Sequence, residues 1–331
     1  MASLKEIKDR ISSVDSTLKI TSAMKMVASA KLHKAQQAIG NMLPYEKCLR
    51  GMLIDLMGVV KMSLKEAGEG TGGNAGTDGE ETGTYSLMAK RQVHRVAIVA
   101  FASNSSLCGA FNSNVVKEAT SMINEYRSAG LEDSDIVVYS VGRKMSDAMR
   151  KLGFPSPSDF TKMSDSPSYE AASALAQELL DGFVNGRFDK VELVYNHYKS
   201  TSSQPTTRQT YLPLSLAEAT SEFQAGKVSE DAPGAVPASL RGASAVESFD
   251  FIIEPSPEAL VEVLIPKVVR LRVFTTLLDS AAAEHAARTV AMQLATDNGE
   301  DLLQELTLEY NKGRQQKITS EILDIVGGSM Q

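Results

Sequence analysis

The chain has 331 residues, 43% hydrophobic and 23% charged, with a net charge of −7, proportions ordinary for a soluble protein with room for two domains. They exclude bulk disorder, and no apolar run approaches the ~20 residues that a membrane-spanning helix needs. Cys48 and Cys108 stand far apart and form neither a disulfide framework nor a zinc motif, which fits a reducing compartment.

The opening residues, MASLKEIKDR, contain no signal-peptide core. From Leu4 the apolar residues fall at Leu4, Ile7, Ile11, Val14 and Leu18, a three-four alternation that keeps one stripe on a helix. The stripe then slips by a residue or two and resumes through Met24, Val27, Ala28, Leu32, Ala35 and Ile39, with no glycine before Gly40 and no proline before Pro44. At ~1.5 Å per residue, residues 3–39 alone span roughly 55 Å, so this helix needs a long partner. The reading places an N-terminal coiled-coil helix at residues 1–65. Lys5, Lys8, Arg10, Lys19, Lys25, Lys31, Lys34, Lys47 and Arg50 outnumber the acids there and give it a basic face, with only Tyr45 as an interleaved aromatic. That pattern argues against single-stranded nucleic-acid binding.

Residues 66–90 read as a flexible, acidic, glycine-rich insertion, too poor in apolar groups to bury a core. Beyond it, strands are expected at residues 96–102, 135–141 and 190–198, alternating with helices at 113–127, 143–152 and 169–183. Alternation of this kind gives a mostly parallel sheet with helices on its faces. Residues 209–214 and 249–253 are candidate edge strands, and 215–247 reads as a second loop insertion within an α/β domain at 91–254. From residue 255 to 331 helix formers dominate again, with Leu260, Val263, Leu264, Val268, Leu271, Phe274 and Leu278 at helical spacing. Ala281, Ala282, Ala286, Ala287, Ala291 and Ala295 follow, small residues that let a neighbouring helix approach closely. Pro266 either kinks this helix or precedes its start. The fold class is α/β: a long antiparallel coiled coil of N- and C-terminal helices with an inserted Rossmann-like parallel-sheet domain. On pattern alone, two ordinary core helices of a globular α/β protein remain an alternative.

Catalytic chemistry is hard to find. The loop at residues 103–111 follows a strand, where α/β sheets bind ligands, but it holds one glycine, Gly109. Neither a dinucleotide fingerprint nor a P-loop occurs, and Ser105 and Ser106 lack a nucleophile elbow. His33, His94, His197 and His285 are dispersed, with no metal-binding spacing. His285, among alanines, reads as a packed histidine, and Asp181 and Asp189 read as solvated. Near the end, Asp297, Asn298, Asn311, Lys312, Arg314, Gln315, Lys317, Thr319 and Glu321 gather; a solvated face accounts for most, and Arg314 and Gln315 are candidates for directed contacts to a surrounding protein.

At these residues the chain resembles the gamma subunits of F-type ATP synthases. Three segments carry the likeness: residues 20–28 (ITSAMKMVA) with Lys31 and Leu32; Ser103-Asn104 and residues 107–112 (LCGAFN); and Ala287-Arg288, Ala291-Met292, residues 295–298 (ATDN), Arg314-Gln315, residues 318–321 (ITSE), Asp324 and Gly328. Ser105 and Ser106 depart from the basic residue and glycine usual in that loop, Ser329 stands where alanine is common, and the redox cysteine pair of plant chloroplast members is missing. The resemblance implies a non-catalytic central-stalk rotor, one copy per complex, turning inside a hexamer of alpha and beta subunits and resting on the epsilon subunit and the membrane c-ring. Proton flow would drive conformational cycling of the beta subunits, which carry the ATP chemistry, so no cofactor or metal is expected here. By resemblance, Met24, Lys25, Arg288, Arg314, Gln315, Thr319 and Glu321 are the contact and coupling positions. The expected location is the cytoplasmic side of a bacterial inner membrane, held peripherally. The competing readings are an α/β enzyme or an adaptor dimerised through helical arms.

Overall fold

The computed structural model describes residues 3–68, 87, 91–214, 253, 254 and 256–328. The expected insertion at 66–90, apart from its first three residues and Leu87, the expected loop at 215–247 and most of the candidate strand at 249–253 lie outside the described residues.

Two helices dominate. Helix α1, Leu4–Gly68, has 65 residues, about 100 Å of rise, and starts where the Ser3 hydroxyl accepts the Glu6 N–H at 3.2 Å. The last helix, Pro257–Gly328, has 72 residues and opens with the Ser256 hydroxyl accepting the Ala259 N–H at 3.2 Å and Pro257 in the first helical position. Of the two possibilities at Pro266, a start just after it is ruled out, because the helix begins nine residues earlier and runs through. Pro44 lies inside α1 in the same way.

On α1 one row of buried and half-buried positions runs Leu4, Ile7, Ile11, Val14, Leu18, Thr21, Lys25, Ala28, Leu32, Ala35, Ile39, Met42, Glu46, Leu49, Leu53 and Leu56, with Asp15, Met24, Gln36, Ala38, Arg50, Gly51 and Ile54 half-buried beside it. That is an unbroken alternation of three and four, the seam of a coiled coil. Polar, half-buried Thr21 and Lys25 bridge the expected slip after Leu18; of the residues expected beyond it, Met24 is half-buried and Ala28 and Leu32 buried, while Val27 is 57% exposed. The partner runs antiparallel. Leu4 packs on Gly313 and Leu18 on Gly299, Thr296 Oγ1 donates to Thr21 Oγ1 at 3.1 Å, and Leu32 sits with Ala282 and Ala286.

Between these helices lies a four-stranded sheet in the order β2-β1-β3-β4. Strand β1 is Val96–Phe101, β2 Ile136–Val141, β3 Lys190–Asn196 and β4 Thr206–Leu212. β1 pairs parallel with β2 and with β3, and β4 closes the edge antiparallel to β3 with an irregularity between Val191 and Glu192. The edge strand begins at Thr206 rather than 209. The helices of the domain are α2 (Phe111–Ser128), α3 (Arg143–Lys151), the short α4 (Thr161–Asp165), which periodicity does not reveal, and α5 (Tyr169–Val184); the C-terminal helix is therefore α6.

The central strand β1 is buried on both faces, and its alternation separates two cores. Val96, Ile98 and Ala100 face Val115, Met122 and Ile123 of α2 and Met145 and Met149 of α3. Ala97, Val99 and Phe101 belong to the other core, with Leu175, Leu179 and Phe183 of α5, Val261, Ile265, Val269 and Val273 of α6, and Leu53 and Leu56 of α1. The lower part of the shaft is thus the cover of the sheet's second face. Asp189, expected to be solvated, instead accepts the His94 and Arg95 N–H groups at 2.9 Å each and fixes the entry to β1.

Gly142 links β2 to α3 at φ +94, where an added Cβ would lie 2.1 Å from the Ala102 carbonyl oxygen. Gly153 has a similar φ of +91 but open space around it. Gly153→Ala should therefore cost only the left-handed strain, about 1 kcal/mol, and Gly142→Ala about 3 kcal/mol or more because backbone must also move. Urea unfolding of the two variants, followed by circular dichroism, checks the ordering.

Candidate functional site

The carboxyl end of β1 is where a sheet of this topology leaves a crevice for ligands. Here that crevice is filled by α6. What remains is a cavity of about 10 Å³ lined by Phe101, Ala102, Val141, Ser280, Ala281 and Glu284, space for roughly one water molecule. The loop above it is folded on itself. Asn112 Oδ1 accepts the Ser103 N–H at 3.0 Å, Asn112 Nδ2 donates to the Ser105 carbonyl at 3.2 Å, and Ser103 Oγ donates to the same carbonyl at 2.7 Å. Asn104 crosses to two other elements, donating to the Thr161 carbonyl at 2.8 Å and accepting the Arg143 N–H at 2.7 Å. Among the described residues no group of three His, Cys, Asp or Glu is placed to hold a metal ion.

Polar contacts then tie this domain to the shaft along its length. Tyr211 Oη donates to the Val269 carbonyl at 3.0 Å in the buried core. Arg270 Nη2 reaches Gln177 Oε1 of α5 at 2.6 Å. Asp279 of α6 takes both the Tyr198 N–H, at 2.8 Å, and the His197 ring Nδ1, at 2.6 Å. Gln36 of α1 donates to Tyr198 Oη at 2.6 Å, so one tyrosine touches both helices. Higher still, Arg288 Nη2 bonds Ser105 Oγ at 2.8 Å and pairs with Glu284 at 2.9 Å. None of these partners is close in sequence, apart from Glu284 and Arg288, and only the fold brings them together.

The sequence-expected contact residues divide into two sets. Met24 and Arg288 meet at a groove of about 230 Å³ between α1 and α6, whose other lining residues include Ala23, Val27, Lys31 and His285. Lys25 is next door, half-buried in the seam. Arg314, Gln315, Thr319 and Glu321 lie roughly 40–50 Å further along α6, all exposed; Thr319 Oγ1 donates to the Gln315 carbonyl at 2.9 Å and Glu321 stands 3.8 Å from Lys317. α1 starts opposite Gly313, so beyond that point α6 has no cover from α1, and Ile318, Ile322, Leu323 and Ile325 are all exposed there. A row of large apolar side chains on a projecting helix calls for a partner.

Two of the groove's side chains carry unpaired buried nitrogens. His285 Nδ1 and Arg288 Nε are buried without a hydrogen-bond partner among the described residues. Burial first, and then the cations Lys31 and Arg288, push His285 down to about 4, so the ring is neutral near pH 7. Glu284 is held above the usual carboxylate range by burial, which Arg288 opposes.

A family model described as ATP synthase matches residues 3–330. The ATP synthase gamma chain of Phocaeicola vulgatus is 49% identical over 330 residues, covering 100% of both chains. That of Bacteroides thetaiotaomicron is 48% identical over 331 residues, again with 100% of both covered, and that of Flavobacterium johnsoniae 37% over 329 residues, with 99% of this chain and 98% of the relative covered. In fold, the chain is similar to one in the cryo-EM structure of the Euglena gracilis mitochondrial ATP synthase OSCP/F1/c-ring, at TM-score 0.57 and 21% identity over 99% of this chain and 93% of that one. It is also similar to one in the Euglena gracilis rotor structure, at TM-score 0.54 and 20% identity over 95% and 98%.

The His197–Asp279 contact carries a pH signature. The Asp279 hydrogen bond, against opposing desolvation, raises His197 above its ordinary value. A raised histidine adds stability that is complete below the unfolded value of about 6.5 and fades as pH rises through the folded one. His197→Gln should remove this dependence, flattening the thermal midpoint above about pH 6.5 by no more than about 2 °C because the ring is half exposed. Asp279→Ala should lower the midpoint at every pH, since the Tyr198 N–H loses its acceptor as well. Melting curves of both variants across that range are the check.

Proposed function

The chain belongs to the ATP synthase gamma-chain family, and from that premise we propose how its geometry performs the work of a central-stalk rotor. The chain is not the catalyst. It is the part that couples transmembrane proton flow to the conformational cycle of the catalytic beta subunits.

The observation that carries this reading is the sharing of α6 between shaft and sheet. Torque applied to the α/β domain by the c-ring and epsilon subunit passes to α6 through the common core and through Asp279, Arg270, Val269 and Arg288. α1 follows because the seam locks it to α6. The shaft is not symmetric about its axis: one side carries the Met24–Arg288 groove, and the single-helix tip carries Arg314, Gln315, Thr319 and Glu321. Inside a ring of alpha and beta subunits each orientation then touches one beta conformer better than the others. A contact of unequal affinity shifts a conformational equilibrium, and one of equal affinity does not. Met24, Lys25 and Arg288 serve as the coupling contacts at the lower level, and Arg314, Gln315, Thr319 and Glu321 engage beta-subunit loops at the upper one. The complex sits on a bacterial inner membrane with this chain peripheral on its cytoplasmic side, one copy in each complex.

Two measurements test the reading. Extraction of the native complex in mild detergent, followed by intact mass determination, should return one copy of this chain with three copies each of two larger nucleotide-binding subunits; a stable homodimer without them would sink the assignment. Met24→Lys adds a cation beside Lys31 and Arg288 without touching the lower core. It should leave the helix content unchanged and lower the protons pumped per ATP hydrolysed by membrane vesicles, and an unchanged ratio would count against the role of Met24.

A further inference from the structure

The loop after β1 has given up ligand binding, yet it is built to hold one group in place. Three donors converge on the carbonyl of Ser105: Ser103 Oγ at 2.7 Å, Asn112 Nδ2 at 3.2 Å and Cys108 Sγ at 3.9 Å. Ser103 and Cys108 are themselves buried. Leu107 at φ 68 and Gly109 at φ 57 fold the rest of the loop back on α2. The backbone of Ser105 is therefore fixed from inside the domain, although the residue is exposed.

Its hydroxyl points at the shaft and accepts Arg288 Nη2 at 2.8 Å. The same guanidinium pairs with Glu284 at 2.9 Å, and the side chains of Arg288 and Glu284 are only 15% and 9% exposed. Glu284 lies on α6 and travels with Arg288, so among the described residues Ser105 gives this arginine its hydrogen bond to another element. Arginine has four flexible side-chain torsions, and holding it in one geometry takes acceptors on more than one side. Released from Ser105, the side chain has the groove of about 230 Å³ beside Met24 and His285 to swing into.

We propose that Ser105 is a positioning residue for coupling: its hydroxyl holds Arg288 at the edge of the groove, so that the loop of the α/β domain and the contact face of the shaft turn as one body. The proposal rests on the rotor reading. It assigns to the loop a mechanical task in place of the ligand-binding task its position in the sheet would normally serve.

The test uses membrane vesicles carrying the complete complex with the native chain, S105A, S105T, R288M and the S105A/R288M pair. Chain content by immunoblot, ATP hydrolysis and ion pumping per ATP are read from the same preparation. S105A should keep chain content and hydrolysis and lower pumping per ATP by about threefold, the low end of what one exposed side-chain hydrogen bond contributes. S105T, which keeps the hydroxyl, should restore it. A methionine at 288 has no donor for Ser105, so adding S105A to R288M should cause no further loss. A native ratio in S105A, equal losses in S105A and S105T, or additive losses in the pair would each overturn the proposal. Failure of the rotor reading would look different: the native chain would be missing from the coupled complex, and the proposal would fall with it.

Discussion

Everything in this molecule depends on α6 serving two cores at once. Between Val261 and Leu277 it is buried on two sides, with Leu53 and Leu56 of α1 against one and the sheet with α5 against the other, and Glu262, Val263 and Lys267 face outward. Each of those Val, Leu and Ile side chains contributes about 1.5–3 kcal/mol by leaving water. A domain attached to a shaft by a linker would rotate freely around it. Here the domain cannot turn without α6, and α6 cannot turn without α1.

From that base, packing weakens steadily toward the far end. Leucine and valine fill the seam at the bottom, alanines around Ala282 and Ala286 bring the helices closer in the middle, and Thr21, Lys25 and Gly299 interrupt the apolar pattern above. Past Gly313 there is one helix with exposed isoleucines and a leucine. The far half of the shaft therefore has the least internal cover, and a helix of that kind relies on its surroundings for burial. Polar links add direction where the apolar core adds strength. Asp279 with His197 and Tyr198, and Arg288 with Ser105, fix the angular position of the domain relative to the shaft.

Much of this was legible in the sequence. The seam from Leu4, the buried strand at residue 96 and the long C-terminal helix follow from periodicity, because each buries a regular stripe. The stripe reads as slipping after Leu18 because the half-buried Thr21 and Lys25 are polar and Val27 is apolar and exposed; a hydropathy pattern cannot see a threonine bonded to another threonine 275 positions away. The edge strand at Thr206 and the five-residue α4 are too polar or too short to announce themselves. Met24 and Arg288 were named from motif resemblance, and their meeting in one groove came from the fold. Ser105 and Arg288 are 183 residues apart and His197 and Asp279 are 82 apart, so no local signal could pair them.

The central claim is that both helices and the domain rotate as a single body. A disulfide between cysteines placed at Thr21 and Thr296, in a chain whose Cys48 and Cys108 have been replaced, would join α1 to α6 within the complete membrane-bound complex. If the shaft is one body, oxidation leaves ATP-driven ion pumping as it was before the cross-link. If the two helices must slide or separate during the cycle, pumping stops on oxidation and returns on reduction, and the account is contradicted.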